Sequence, residues 1–307
     1  MKNKLLIVGC GDIASRAACL LGQRYRLFGL CRKVENFDNL RSLGIRPIAG
    51  DLDQPASLER IAGIAAHSIL HLAPPPGHGK RDTRTLHLLS ALSRRPSNVK
   101  ERILPQQLIY ISTSGVYGDC GGDRIHEGRP VNPGSDRACR RLDAEQQIKS
   151  WGRRNGVRVS ILRVPGIYAH NRLPLERLRQ GTPALLPAED SYTNHIHADD
   201  LARIIVAVLR FGKPGRIYHA SDDSCLKMGE YFDLVADHFA LSHTRKITRQ
   251  DARKTLSPSL LSFMLESRRL INDRMKRELK VRLRYPTVEA CLTEMKKIPF
   301  KPENPDG

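Results

Sequence analysis

Aromatic residues are scarce in this chain of 307 residues: phenylalanine, tryptophan and tyrosine together make up 5%, with a single tryptophan, Trp151. A surface that stacks the bases of single-stranded nucleic acid needs aromatic side chains among its basic ones, and that pattern is missing. Long apolar runs are missing too. No stretch approaches the roughly eighteen consecutive apolar residues that mark a membrane-spanning helix. The opening Leu5-Leu6-Ile7-Val8 run is stopped by Gly9-Cys10-Gly11-Asp12, too soon for the apolar region of a signal peptide. The seven cysteines (Cys10, Cys19, Cys31, Cys120, Cys139, Cys225 and Cys291) are odd in number, and no two have the two-residue spacing of a zinc knuckle or redox motif. These absences lead us to expect a reduced, cytoplasmic protein with no membrane contact and no bound metal.

Acidic residues are outnumbered: 51 Lys and Arg against 32 Asp and Glu give a formal net charge of +19. Between Arg245 and Arg284, thirteen Lys and Arg meet four Asp and Glu. Such an excess suits an electrostatic surface for nucleic acid or for an anionic substrate, or simply a solvated helical face. Leu270, Ile271, Met275, Leu279 and Val281 interleave with the charges at the spacing of an amphipathic helix. No helix-turn-helix, zinc-finger or aromatic RNA-binding motif accompanies them, so a solvated face is expected and nucleic acid is not an expected partner.

Short apolar runs at Lys4–Gly9, Arg26–Cys31, Arg46–Ala49, Ser68–Leu72, Leu108–Ile111 and Val157–Arg163 read as strands. Between them, Ile13–Leu21, Asp53–Ala62, Thr83–Ser93 and Arg137–Trp151 have helical spacing. Asp53 is placed to cap its helix, with Pro55 in the first turn. This alternation predicts an α/β fold: a Rossmann-type doubly wound parallel sheet with right-handed crossovers. After about Gly166 the rhythm changes. Proline and glycine punctuate the chain, and helices recur at Asp200–Arg210, Met228–Phe239 and Leu260–Arg269. We therefore expect a sheet domain over 1–165 and a smaller, mainly helical lobe over 166–307. The lobe would enclose a small-molecule substrate at the carboxyl ends of the strands.

Val8-Gly9-Cys10-Gly11-Asp12-Ile13-Ala14 sets a Gly-x-Gly-x-x-Ala pattern directly after the first strand and at the opening of the first helix. Gly9 permits a tight turn, Gly11 lets a pyrophosphate approach the backbone, and Ala14 is small enough for close helix–strand packing. The N–H groups of the helix start, at Asp12, Ile13 and Ala14, then face the phosphates. About twenty residues on, an NAD site carries an acid for the ribose 2′-hydroxyl. Here the chain reads Cys31-Arg32-Lys33. These cations suit a 2′-phosphate, with Arg16 in the first helical turn placed to assist, which favours NADP(H) over NAD(H). Alternatively, Arg32 and Lys33 are ordinary surface charges and Glu35 reaches the ribose.

Further segments carry a family resemblance. Tyr110-Ile-Ser-Thr-Ser-Gly-Val-Tyr-Gly118, Gly50-Asp51-Leu52, Leu162-Arg163-Val164-Pro165-Gly166-Ile167-Tyr168 and Ile196-His197-Ala198-Asp199-Asp200-Leu201-Ala202 resemble segments of the extended short-chain dehydrogenase/reductases, the NAD(P)-dependent epimerases and dehydratases. The resemblance runs from residue 4 to about residue 290. It implies that Thr113, four residues before Tyr117, is the active-site hydroxyl, though a strand-end Thr that satisfies local backbone groups looks the same in sequence. It further implies that Asp51 and Leu52 lie at the adenine and that Leu72, Ala73 and Pro74 border the cofactor. Pro165 and Ile167 would flank the nicotinamide.

The family's Tyr-x-x-x-Lys pair is absent. Aligned on Leu142 and Glu145, the helix places Arg137 at the tyrosine position and Arg141 at the lysine position, and none of the eight tyrosines has a lysine four residues later. A guanidinium, with its pKa above about 12, does not exchange protons near neutrality, whereas Arg141 retains the ability to hold a ribose or phosphate. The pattern resembles the atypical short-chain dehydrogenases, YeeZ-like bacterial proteins among them. The resemblance places two tyrosines near the site as conceivable substitute acids, Tyr117 and Tyr168, and the more ordinary reading of both is packing with a hydroxyl at the surface. The expectation is an NADP(H)-dependent oxidoreductase or epimerase/dehydratase-like enzyme, monomer or homodimer, acting on a small polar or nucleotide-linked substrate. Its rival is a catalytically silent NADP-binding sensor.

Two other patterns weigh less. His195 and His197 share a strand face beside Asp199-Asp200, but Asp199 or Asp200 is expected to cap a helix from Leu201 rather than to join a metal site. Gly77-His-Gly-Lys80 lacks the earlier glycine and the following Ser or Thr of a phosphate loop.

Overall fold

The computed structural model describes residues 2–95 and 103–296. Strands β1 (Asn3–Val8), β2 (Tyr25–Cys31), β3 (Ile45–Ala49), β4 (Ser68–His71) and β5 (Gln107–Thr113) join Arg158–Val164 and Ile217–His219 in one seven-stranded sheet. From edge to edge the order is Ile217–His219, Arg158–Val164, β5, β4, β1, β2, β3, and every neighbouring pair is parallel. The chain winds outward from β1 to β3, then returns to place β4 on the other side of β1. This is the topological switch point at which doubly wound sheets bind ligands.

The central strands read as continuous apolar runs because both of their faces are covered. Leu5 and Ile7 pack in one layer with Ala14, Ala17, Ala18 and Leu21 of the helix α1 (Asp12–Leu21). Leu6 and Val8 pack in the opposite layer with Leu88, Leu92, Ile148 and Trp151. The buried positions of α1 recur three and four apart, and three of them are alanine, so the helix lies close to the sheet.

Two segments beyond residue 166 belong to this same layer. The helix Ala198–Phe211 packs against α1 and buries Leu201, Ile204, Ile205 and Val208, and the strand Ile217–His219 adds to the sheet edge. Other C-terminal segments build apolar clusters of their own, one around Tyr168, Phe232, Val235 and Leu292 and another around Leu185, Ile247 and Met264.

Several expectations are corrected. Asp53–Ala62 is a 3-10 turn, Pro55–Leu58, followed by a short helix, Arg60–Gly63. Asp53 does not cap it, because both its oxygens accept from the Arg84 guanidinium at 2.8 and 2.6 Å. The basic C-terminal stretch is broken into a helix Pro258–Met264, a strand Arg269–Leu270 paired with Arg124–Ile125, and a helix Asp273–Leu279. Met275 and Leu279 reach the main core, while Leu270 packs in a separate cluster with Val116, Tyr117 and Ile125. The helix expected from Leu201 opens at Ala198, and neither aspartate caps it. His197 Nδ1 accepts the Asp199 N–H at 3.2 Å, and the buried Asp200 carboxylate accepts the N–H groups of Arg284 and Tyr285 at 2.9 and 2.8 Å. Asp200 thus fastens the C-terminal segment to the sheet layer. Among the described residues, no helix is long and apolar enough to cross a membrane.

Candidate functional site

The turn after β1 opens a cleft of about 590 Å³ at the switch point. Gly9 has φ +98°, and a Cβ there would stand 2.5 Å from the Ala73 nitrogen. The ends of β1 and β4 meet at this point, where Leu72 and Ala73 donate their N–H groups to the Val8 carbonyl at 2.7 and 2.9 Å. Only glycine fits. Gly11 differs: its Cβ would meet nothing within 4 Å, so the backbone faces open space in the cleft. No side chain caps the N-terminus of α1, and Asp12, Ile13 and Ala14 line the cleft. That leaves backbone donors at the positive end of the helix dipole for an anion.

At the far end of the cleft, Arg32 and Lys33 stand exposed beside Asn36, Asp51 and Leu52. Neither cation makes an ion pair among the described residues, and Glu35 is not among the residues lining the cleft. Leu72, Ala73, Pro74 and Ile167 complete the wall. Arg16 does not line it. Its guanidinium bridges Asp12 at 2.9 Å and Asp199 at 2.5 Å, tying α1 to the helix Ala198–Phe211, so the expected help with a 2′-phosphate is withdrawn. Arg84 lines the cleft unannounced by any motif, held by Asp53 and by the Pro74 carbonyl at 3.1 Å. Its approach depends on how the helix Thr83–Ser93 passes the β3 turn, which local sequence does not encode.

A second cleft, of about 520 Å³, shares Ile167 and Arg172 with the first. It brings together Thr113, Arg137, Arg141, Pro165 and Tyr168. Thr113 ends β5, where its Oγ1 accepts the Gly115 N–H at 3.2 Å, so the local backbone role and a place in the cleft coexist. Arg141 donates to the Tyr110 hydroxyl at 3.1 Å and the Ile111 carbonyl at 2.8 Å. It lines the second cleft rather than the first, as does Pro165. Burial holds the Arg137 pKa below its ordinary value, opposed by Glu266 and reinforced by Arg141, Arg140 and Arg268.

The two candidate acids are both buried. Tyr117 is 1% exposed and lines neither cleft. His219 Nδ1 lies 2.9 Å from the Ile271 carbonyl, to which it must donate. Its Nε2 is therefore the acceptor for the Tyr117 hydroxyl, at 2.6 Å. Burial pushes that hydroxyl's pKa up to about 12. The turn Ser114–Tyr117 carries the ring into the cluster of Val116, Cys120 and Ile125, outside the lining of both clefts. Tyr168 does line the second cleft, but its hydroxyl is buried without a hydrogen-bond partner. Burial and then the nearby Asp222 raise its pKa above the ordinary tyrosine value. Burial likewise holds the Asp222 carboxyl up to about 8. His195 and His197 stack against Tyr231 and Tyr285, with ring centroids 4.3 and 4.0 Å apart. Among the described residues, no group of three or more His, Cys, Asp and Glu is disposed to hold a metal.

Comparison with known proteins agrees with this fold. The dTDP-glucose 4,6-dehydratase of Mycobacterium tuberculosis (strain H37Rv) is 31% identical over 128 residues, which is 38% of this chain and 39% of that enzyme. The dTDP-glucose 4,6-dehydratase of Mycolicibacterium smegmatis is 28% identical over 195 residues, 57% of this chain and 56% of the relative. The chain thus spans about two-fifths to just over half the length of these curated relatives. Among solved structures, a conserved protein of unknown function from Silicibacter pomeroyi superposes with a TM-score of 0.77 at 25% identity, covering 96% of this chain and 99% of its own. The dTDP-glucose 4,6-dehydratase of Bacillus anthracis, in complex with NAD, shares the fold with a TM-score of 0.74 at 18% identity and 96% coverage of both chains. The model of the NAD dependent epimerase/dehydratase family matches residues 9–221, from the first fingerprint glycine past the last strand of the sheet. On that match, spanning well over half of its residues, the chain belongs to the NAD-dependent epimerase/dehydratase family.

Proposed function

We propose that the protein is an NADP(H)-dependent oxidoreductase or epimerase/dehydratase-like enzyme, and that it acts on a small polar or nucleotide-linked molecule in the second cleft. One observation carries this reading: the two clefts adjoin, with Ile167 and Arg172 in the walls of both, so that the cleft with Arg32 and Lys33 lies beside the one lined by Thr113. The residues fit a dinucleotide, because Gly11 leaves its backbone open to the cleft and α1 offers uncapped donors beside it. A nicotinamide cofactor supplies hydride transfer when bound. Gly9, Gly11 and the first turn of α1 would hold its pyrophosphate, Asp51 and Leu52 its adenosine, and Arg32 and Lys33 a 2′-phosphate. Pro165 and Ile167 would border the nicotinamide end.

Thr113 is then the group that hydrogen-bonds a substrate oxygen, and Arg141, tethered along β5, holds the substrate beside it. The clusters around Phe232 and Leu185 act as the lobe that encloses the substrate and excludes water. The named relatives act on a nucleotide-linked sugar, which supports that substrate class. We place the protein in the cytoplasm, in keeping with its seven free cysteines, as a monomer or homodimer.

A silent NADP-binding sensor is the second reading, and a specific observation favours it: the hydroxyls of both Tyr117 and Tyr168 are buried, with arginine at the usual proton-donor position. A screen of carbonyl compounds and nucleotide sugars for NADPH consumption separates the two. On the enzyme reading a substrate is found, and Thr113→Ala lowers its kcat/KM by about ten- to a thousandfold, as expected for an oxyanion-type contact of roughly 1.5–4 kcal/mol. An unchanged rate in that variant would remove Thr113 from the site. Tight NADPH binding with no turnover across the screen would establish the sensor.

A further inference from the structure

We propose that the ligand of the second cleft carries an oxyanion, a carboxylate or a phosphate, which docks between Arg137, Arg141 and Arg177; this rests on reading that cleft as the substrate site. Five arginines line the cleft: Arg137, Arg141, Arg172, Arg177 and Arg268. Glu266 is the one carboxylate among its lining residues, and Arg268 holds it at 2.8 Å. Arg172 is matched by Asp12 of the neighbouring cleft at 3.1 Å. Arg141 spends its Nη1 on neutral oxygens, the Tyr110 hydroxyl and the Ile111 carbonyl. Arg177, also in the lining, makes no ion pair among the described residues and stands exposed. Among the described residues the lining therefore carries five arginines against one carboxylate.

The arrangement on the helix Asp136–Asn155 sharpens the point. Arg137 and Arg141 are four residues apart, so their side chains share one face, and like charges at that spacing disfavour a helix. Arg140 lies between them in sequence but turns away to donate to the Gly79 carbonyl. Burial disfavours the charged form of Arg137, Glu266 favours it, and Arg141, Arg140 and Arg268 disfavour it; an anion lodged among these arginines would act in the same sense as Glu266. A guanidinium presents its donors as a planar fork that matches two oxygens of a carboxylate or phosphate, so several of them around one cavity select an oxyanion over a hydroxyl. A neutral, hydroxyl-rich ligand would leave this charge unmatched.

The test is calorimetric titration of the full chain, with and without NADPH, using three probes of similar size: D-glucose, D-glucose 6-phosphate and D-glucuronate. We expect at least one of the charged probes to bind about tenfold or more tighter than glucose, with affinity that falls as salt is added. Tighter binding of glucose 6-phosphate identifies a phosphate site, and tighter binding of glucuronate a carboxylate site; either supports the proposal. Arg137→Gln and Arg177→Gln should each weaken the charged probe by about tenfold, while NADPH affinity stays within about twofold. Circular dichroism of each variant checks that the fold is kept. Equal binding of glucose, no binding of either anion, or undiminished anion binding in the folded Arg137→Gln/Arg177→Gln double variant would overturn the proposal. Loss of NADPH binding with the anion response intact would instead count against the cofactor assignment alone.

Discussion

Gly9 and Gly11 occupy one turn and answer to different constraints. Gly9 combines φ +98° with a neighbouring backbone 2.5 Å from where a Cβ would stand, so Gly9→Ala must shift β1 against β4. We expect that variant to lose about 1–3 kcal/mol of stability through backbone strain, read by chemical denaturation. Gly11 has an extended φ of −96° and open space in front of it, so Gly11→Val should fold normally. Its side chain would occupy the pyrophosphate's approach, and NADPH binding should vanish. A folded Gly11→Val protein with wild-type affinity would show that the fingerprint is not the cofactor site. Sequence reading served this turn well, since the spacing of Gly9, Gly11 and Ala14 is itself the structural requirement. It served Tyr117 and Arg16 poorly. Tyr117 turns into a buried cluster to meet His219, 102 residues away, and Arg16 is captured by Asp199, 183 residues away. Partners so distant leave no local trace.

At the scale of elements, the helix Asp136–Asn155 is joined to the sheet by a buried ion pair. Glu145 and Arg163 meet at 2.7 and 3.0 Å with 0% and 3% side-chain exposure, and Ser112 of β5 donates to the same carboxylate at 2.7 Å. Removing one partner strands the other charge, so Glu145→Ala should cost about 3–5 kcal/mol. The Glu145→Leu/Arg163→Met double variant should recover most of that loss. A double variant as unstable as Glu145→Ala, measured by urea unfolding, would contradict this picture of the pair. This junction also places Arg137, Arg141 and Thr113 along one cleft. The central strands were legible because burial on both faces forces unbroken apolar runs. The edge strand Ile217–His219 was not, since three residues after Gly212 and Gly215 give no period to read. The basic C-terminal stretch misled for a related reason: Leu270 and Met275 are both apolar, yet they serve two different clusters.

Across the whole molecule, buried titratable groups make stability depend on pH. Burial holds His71, His195 and His219 down to about 3, so between the usual 6.5 and that value the unfolded chain binds more protons. Their contribution is present above 6.5 and is lost as pH falls towards 3. Asp222, raised from 3.8 to about 8, acts in the opposite sense: the folded state holds its proton, and stability gains as pH falls through that window. Burial also lowers His197 and raises Asp82 and Asp190, but the three large histidine shifts outweigh the one large aspartate shift, so Tm should decline on acidification from pH 6.5 to pH 4. In Asp222→Asn that decline should be steeper, because the opposing gain is gone; a shallower decline would reverse the assignment of Asp222. The cofactor assignment unites the fold, the two clefts and the basic residues at the end of β2, and one measurement meets it directly: parallel calorimetric titration of the protein with NADPH and NADH. The account predicts that NADPH binds about ten- to a hundredfold more tightly, the value of a charged phosphate contact of roughly 1.5–3 kcal/mol, and that Arg32→Ala narrows the gap. Equal affinities, or tighter binding of NADH, would contradict it.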